Sequence, residues 1–340
     1  MDIAGERREN TLYLPSKRRL TAKLSKLSNA FVAFMKTQFP TKVTPQNPTT
    51  ANGARIFNYS LVITLSVIWG LAFVAIRRAE FELSPANLTI LRWLIASGGF
   101  LVLAPFFGRP KNSIKRRHIP RILLVSFASV VGYHLSLNYA ETIVSSGLAG
   151  LLISFGPIFI VLLSALFLKE KIGSRLMFAL ALAVAGAVIL SINTDLSFLQ
   201  ITGPFAVVLA AFMYSIFSVG SKPLVKEYGA LPIAIWVAVI GTVFTLPLVS
   251  WSFLAQVFTL SGAGWLSVLY LAVLSTVVAN MILYTLISDR AVSQLSVQLY
   301  LVPFVSLIGG ILLLGENFSA FTALGACFLF AGTALATHRH

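Results

Sequence analysis

His134 and Asn280 stand 146 residues apart in stretches that are otherwise almost wholly apolar, and Asn138 and Tyr284 stand at the same offset. In a helix, positions 134 and 138 lie one turn apart on one face, and so do 280 and 284. Polar side chains are expensive in apolar surroundings. Such a recurrence points to the lining of a shared cavity, or to hydrogen bonds between helices, worth about 0.6 kcal/mol on average. Gln294 and Gln298 are a further pair one turn apart, with Tyr300 beside them. Arg92 lies inside another apolar stretch, where a cation costs about 2.5–3.5 kcal/mol on insertion scales. It reads as the partner of an anionic solute group, or as a cap on a neighbouring helix whose long stem reaches outward. Trp69, Tyr139 and Tyr214 can supply aromatic walls, although Trp and Tyr also gather at membrane surfaces. His134 is the one histidine well inside an apolar stretch. Its ordinary pKa of about 6.5 makes it the group in these stretches best able to take up and release a proton near neutral pH.

Other chemistry finds no support in the spacing. There is no phosphate-binding glycine loop, no pair of metal ligands on one helix, no paired carboxylates inside the apolar stretches and no visible catalytic triad. No enzyme activity, metal or cofactor is expected. Cys327 is the single cysteine. It excludes a disulfide within the chain and reads as a small apolar filler.

These residues must be held by elements that tolerate an apolar solvent. The chain has 340 residues, 57% apolar and only 11% charged, against about 25% charged in soluble domains. That is too little polar material to cover a water-facing surface, and a lipid-facing one removes the problem. Stretches long enough to span a bilayer lie at 57–77, 86–106, 119–139, 144–168 and 174–192, then at 202–221, 231–251, 264–287, 291–314 and 318–337. They do not alternate as barrel strands would, so ten helices are expected.

The net charge is +15, and residues 1–56 hold 10 of the 26 Lys and Arg. The remainder sit mostly in short loops, which speaks for membrane orientation and against nucleic-acid binding. With the N-terminus inside, the cytoplasmic loops carry Arg109, Lys111, Lys115, Arg116, Arg117, Lys169, Lys171 and Arg175, together with Lys222, Lys226 and Arg290. The opposite side keeps Arg77 and Arg78, with Glu80, Glu82, Glu141 and Glu316. Both termini are therefore expected in the cytoplasm, with the protein in the cell membrane.

The offset of 146 also relates Pro157 to Pro303, Glu170 to Glu316 and Gly186 to Gly332. In each half a Pro lies in an apolar helix and a Glu ends that helix. The reading is two repeats, 57–192 and 202–337. Each repeat has five spans, an odd number, so the second begins on the opposite side from the first. An inverted repeat of this kind is a common transporter design, because two similar halves can exchange conformations. Gly147, Gly150, Gly309 and Gly310 read as packing positions. Glu170 and Glu316, at helix ends, read as structural.

Residues 1–56 form a basic tail and linker. Leu20, Leu24, Leu27, Phe31 and Phe34, with five cations among Lys17–Lys26, allow a helix over 16–39 lying on anionic lipid, or else a disordered tail that fixes orientation.

The chain resembles the EamA-type branch of the drug/metabolite transporter superfamily over residues 57–337. The marks are Trp69-Gly70, then Leu91-Arg92-Trp93 with Ala96. Next come Ser146-Gly147-Leu148-Ala149 with Pro157 and Glu170, and finally Pro303 and Glu316. Met213-Tyr214-Ser215 departs from the Trp-based string of the first span. The resemblance implies an all-α integral membrane protein of ten helices that exports small metabolites, amino acids or drugs by alternating access. Its partners would be a small solute and the bilayer, with homodimerisation open. The competing reading is a sensor or scaffold acting through its basic tail.

Overall fold

The computed structural model describes residues 48–106, 113–168, 198–283, 292–317 and 319–337, with single positions between 177 and 189. The chain divides into two units, Met1–Ala51 and Asn52–His340. Of the first, only residues 48–51 are described, within the start of a helix. The expected tail helix over 16–39, Glu170 and Tyr284 lie outside the described residues, as do the side chains of Gln294, Gln298 and Tyr300.

All regular structure among the described residues is helical. The helices are α1 Pro48–Glu80, α2 Pro85–Leu103, α3 Arg116–Glu141, α4 over 146–168 and α5 Phe198–Tyr228. They continue with α6 Ala230–Thr245, α7 Ser252–Thr259, α8 Gly262–Leu283, α9 Val292–Leu314 and α10 Ala320–Thr337. Among the described residues six helices are long and apolar enough to cross a membrane: α1 from Ser60, α2, α3, α5 from Ile201, α6 extended to Leu248, and α8. Shorter apolar stretches, Ser146–Ile160, Leu301–Leu314 and Thr322–Gly332, belong to α4, α9 and α10. The expected span at 174–192 falls mostly outside the described residues.

Burial follows the demands of a lipid solvent. Leu65, Ile90, Leu137, Leu152 and Ile158 are fully buried between helices, while Ile63, Leu101, Leu124, Phe205, Leu266 and Leu312 stand exposed on outward faces. Large apolar side chains on both faces suit a helix with packed neighbours on one side and lipid on the other.

The helix starts are written in the sequence at one end of the bundle. Ser84 precedes Pro85 and accepts the Asn87 N–H. Ser145 accepts the Leu148 N–H, Ser261 the Gly264 N–H and Ser319 the Thr322 N–H. Each serine satisfies a first-turn donor that lipid and neighbouring side chains would leave open. At the other end no such cap occurs among the described starts. Lys115 and His118 before α3 and Gly229 before α6 make no side-chain cap bond. Gly229 adopts φ 94°, so a glycine is needed to turn the chain from α5 into α6 within one residue.

Close packing joins α4 to α9. A Cβ on Gly150 would overlap the Ser306 hydroxyl, and one on Gly310 would overlap the Glu316 carboxylate. Small residues let the backbones approach where lipid supplies no hydrophobic drive. Gly315, at φ 68°, then folds the chain back so that the Glu316 N–H donates to the Gly310 carbonyl at 3.1 Å. The Glu316 carboxylate thereby reaches the start of α4. It accepts the Ser146 N–H at 2.7 Å and the Gly147 N–H at 3.1 Å. A negative charge at a helix N-terminus meets both the unpaired donors and the positive end of the dipole.

One element was absent from the sequence reading. Helix α7 lies between α6 and α8, with Phe253 and Val257 against the core and Leu254 and Phe258 exposed. Its Gln256 accepts from the Ser84 N–H at 3.0 Å and from Asn87 Nδ2 at 2.8 Å, which ties it to the start of α2. Trp251 just before it is fully exposed, as suits an aromatic ring at a membrane surface.

Replacing Glu316 by Ala removes two charge-assisted hydrogen bonds, each worth about 1.5–3 kcal/mol in a sheltered place. The variant is expected to melt several degrees below wild type in detergent. Gly150→Val is expected to cost about 1–3 kcal/mol by overpacking, read as a lower melting temperature that Gly98→Ala, where nothing lies within 4 Å of a new Cβ, does not show.

Candidate functional site

Two stretches of wider π-helical winding shape the middle of the bundle, Ala128–Leu135 in α3 and Tyr270–Val278 in α8. The extra residue in each turn frees carbonyls and turns side chains off their usual register, which is why such windings collect at functional sites. Side chains take up the freed groups. His134 Nδ1 bonds to the Ser129 carbonyl at 2.7 Å, and the Thr276 hydroxyl donates to the Leu271 carbonyl at 2.8 Å. Trp69 Nε1 crosses from α1 to donate to the Ser275 carbonyl at 3.1 Å.

Between these windings lies a cavity with about 1000 Å³ of empty space, counted out to its open mouth. Helices α1 to α5, α8 and α9 contribute to it. Ile76 and Leu137 extend the lining toward one end, while key contributing residues sit near the centres of their helices, Trp69 in Ser60–Glu80 and Arg92 in Pro85–Leu103. This is mid-depth in the bundle.

Arg92 is the only charged side chain on the cavity wall among the described residues. It is 4% exposed, and its partners are hydroxyls: Nε donates to Thr276 Oγ1 at 2.9 Å and Nη2 to Ser275 Oγ at 3.3 Å. A guanidinium presents five N–H donors in a planar fork that matches a carboxylate. Hydroxyls orient this fork without neutralising it. A buried cation so placed is stabilised by any anion that enters beside it.

Aromatic rings form much of the remaining wall. Trp69 meets Tyr214 edge-on at 6.5 Å, Tyr133 lies 5.5 Å from Tyr214, and Trp93 lies 5.0 Å from the His134 ring. Because a carbonyl can only accept, the His134 bond to Ser129 places the proton on Nδ1 and leaves Nε2 as an acceptor. Ring faces of this kind attract ammonium groups and apolar side chains alike.

Of the residues singled out from sequence, Trp69, Arg92, His134 and Asn280 line this cavity, with Pro157, Pro303 and Tyr214. The Asn280 amide donates to the Thr276 carbonyl at 2.7 Å. Asn138 does not line it. Fully buried, it donates to Thr89 Oγ1 at 2.9 Å and fastens α3 to α2. Tyr139 is 43% exposed at a helix end, in keeping with the interface reading rather than the wall. Glu316 caps α4, away from the cavity wall. Gln294 and Gln298 lie on α9, with side chains outside the described residues. Sequence reasoning missed Trp93, Tyr133, Ser275 and Thr276 as lining residues. Adjacent Ser and Thr inside an apolar helix were the available signal.

Each end of the bundle carries its own polar network. At one, the Tyr228 hydroxyl accepts the Lys115 N–H at 3.1 Å and bonds to His118 Nδ1 at 2.7 Å, while Lys115 Nζ pairs with Glu227 at 2.7 Å. At the other, Arg78 pairs with Glu82 at 2.7 Å, and Glu82 accepts the N–H and the hydroxyl of Ser261, each at 2.7 Å. The Ser261 N–H, then its hydroxyl, and Arg78 after them hold the Glu82 carboxyl below the usual carboxylate range. The Arg77 guanidinium donates to the Glu141 carbonyl.

With this geometry in view, likeness to known proteins is informative. The model of the EamA-like transporter family matches residues 56–192 and again 201–337. An "uncharacterized transporter" of Archaeoglobus fulgidus is 30% identical over 273 residues, 80% of this chain and 96% of its own. A Streptantibioticus cattleyicolor protein named "probable terminal-alkyne amino-acid exporter" is 30% identical, over 83% of this chain and 93% of its own. A "probable amino-acid metabolite efflux pump" of Escherichia coli is 25% identical over 80% and 92%. A solved structure, described only as a crystal structure of protein, matches in fold with a TM-score of 0.56 at 20% identity, covering 82% of this chain and 96% of its own. Two successive copies of one domain and relatives matched over nearly their whole length leave one assignment: the chain is a multi-pass membrane protein that belongs to the EamA-like transporter family.

Proposed function

We propose that this protein is a secondary transporter that exports small carboxylate-bearing metabolites, amino acids foremost among them, by alternating access. One observation carries the reading: a single buried guanidinium, oriented only by hydroxyls, on the wall of a mid-depth aromatic cavity. A solute carboxylate supplies the charge that Arg92 lacks. The faces of Trp69, Trp93, Tyr133 and Tyr214 suit an ammonium group or an apolar side chain. The names of the Streptantibioticus and Escherichia relatives favour amino acids over other anions.

The machine we infer has ten spans in two inverted five-helix halves, 57–192 and 202–337, with both termini in the cytoplasm and the cell membrane as its location. The offset of 146 in sequence and the twofold family match support the halves. Odd spans per half make them antiparallel. On this reading the halves interlock at their ends. Glu316 of the second half caps α4 of the first. Drugs and other small metabolites remain within the substrate class, and the basic tail serves orientation or contact with anionic lipid.

Counterflow in liposomes with a panel of labelled amino acids and their amides tests the proposal. Uptake of the acids is expected to fall at least tenfold in Arg92→Gln, as loss of a charge-assisted bond implies, and less in Arg92→Lys. Amides are expected to be indifferent to both changes. Absence of flux for every solute, by folded protein, would sink the reading. Removal of residues 1–47 is expected to leave flux in place; its loss would instead favour a tail-driven sensor or scaffold.

A further inference from the structure

Beyond the cavity, at the end where α1 and α3 finish, lie Glu80 and Glu141. Glu141 is 0% exposed, and all four carboxylate oxygens of the pair are buried without a hydrogen-bond partner among the described residues. Sequence reasoning had placed both on the outer face and expected no carboxylates paired inside. The structure keeps both at one end of the bundle but buries their carboxylates there, where the sequence suggested exposed loop charges. Ile76 and Leu137 line the cavity one turn back on the same two helices. The carboxylates are therefore the next layer over the cavity at this end.

An ionised carboxylate in a dry place without a partner is strongly disfavoured. The charged and titratable groups that bear on Glu141 come from every side. Arg77 on α1 is engaged with the Glu141 carbonyl, and Glu80 lies on the same helix. Arg92 faces from α2 and Tyr133 from α3 itself. Glu316, after α9, is committed to the start of α4. Two cations face three carboxylates, so full ionisation leaves one negative charge. No group of three or more acidic, His or Cys side chains suited to a metal ion exists among the described residues. A proton is the ligand that restores balance with no space required.

We propose that Glu80 and Glu141 form a proton-binding site that holds this end of the cavity shut. A proton from water binds one carboxylate oxygen, and the neutral layer lets α1 and α3 pack. When the proton leaves for water, the uncompensated charge draws water in and the end loosens. On the transporter reading above, solute passage through this end then depends on pH. The site itself does not require that reading.

The test uses the full chain in detergent micelles, with no solute. The wild-type melting temperature is expected to fall as pH rises. Glu141→Gln and Glu80→Gln are each expected to flatten that dependence, and His134→Gln to keep it. In a Cys327→Ala background, Ile76→Cys is expected to react faster with a water-soluble thiol reagent as pH rises, and at one rate when Glu141→Gln is added. If Glu141→Gln fails to fold, Glu80→Gln serves for both readings. A wild type indifferent to pH, a Gln variant that keeps the wild-type response, or a response lost only in His134→Gln would overturn the proposal. Failure of counterflow with the amino-acid panel touches the transporter reading alone.

Discussion

In lipid, a backbone N–H or C=O without a partner costs several kcal/mol, and no water is at hand to supply one. Each irregularity in this bundle is bounded by that constraint. Where α3 and α8 widen into π-helical turns, His134, Thr276 and Trp69 take up the freed carbonyls. Where α4 begins, the Glu316 carboxylate takes its first two donors. The groups that repair the backbone are largely the groups that shape the site. Trp69 and His134 both close a carbonyl and border the cavity.

The same constraint explains why polarity is concentrated. Arg92 is tolerable at mid-depth because Ser275 and Thr276 stand where the α8 winding presents them together. The surroundings then leave it oriented but not neutral, which suits transient occupancy. On the proposed reading, a guanidinium already paired with a protein carboxylate would have to break that pair for each solute, at a penalty of several kcal/mol. The aromatic rings around it offer contact surface without fixed hydrogen-bond partners, which the proposed reading uses for side chains of differing size.

Much of this was legible in the sequence. Hydropathy located the six long apolar helices among the described residues because a helix in lipid needs a long apolar run, and the offset of 146 singled out His134 and Asn280, which line one cavity. Arg92 stood out through the cost of its charge. Three things were hidden for physical reasons. Trp93, Tyr133, Ser275 and Thr276 reach the cavity partly through π-helical winding, whereas a period of 3.6 assumes regular turns. Asn138, on the same helical face as His134, turned instead to Thr89, since tertiary contact decides which polar group is spent between helices. Glu80 and Glu141 looked like loop charges, because burial at a helix end is set by neighbours distant in sequence. Helix α7 was too short for a hydropathy signal and is held by Gln256 rather than by a long apolar run.

The serine caps fall at one end only. Ser84, Ser145, Ser261 and Ser319 fasten the first turns there, while the starts at Lys115, His118 and Gly229 have no side-chain cap. A helix unravels first where its opening donors are unheld. The bundle therefore has a stiff rim and a soft rim.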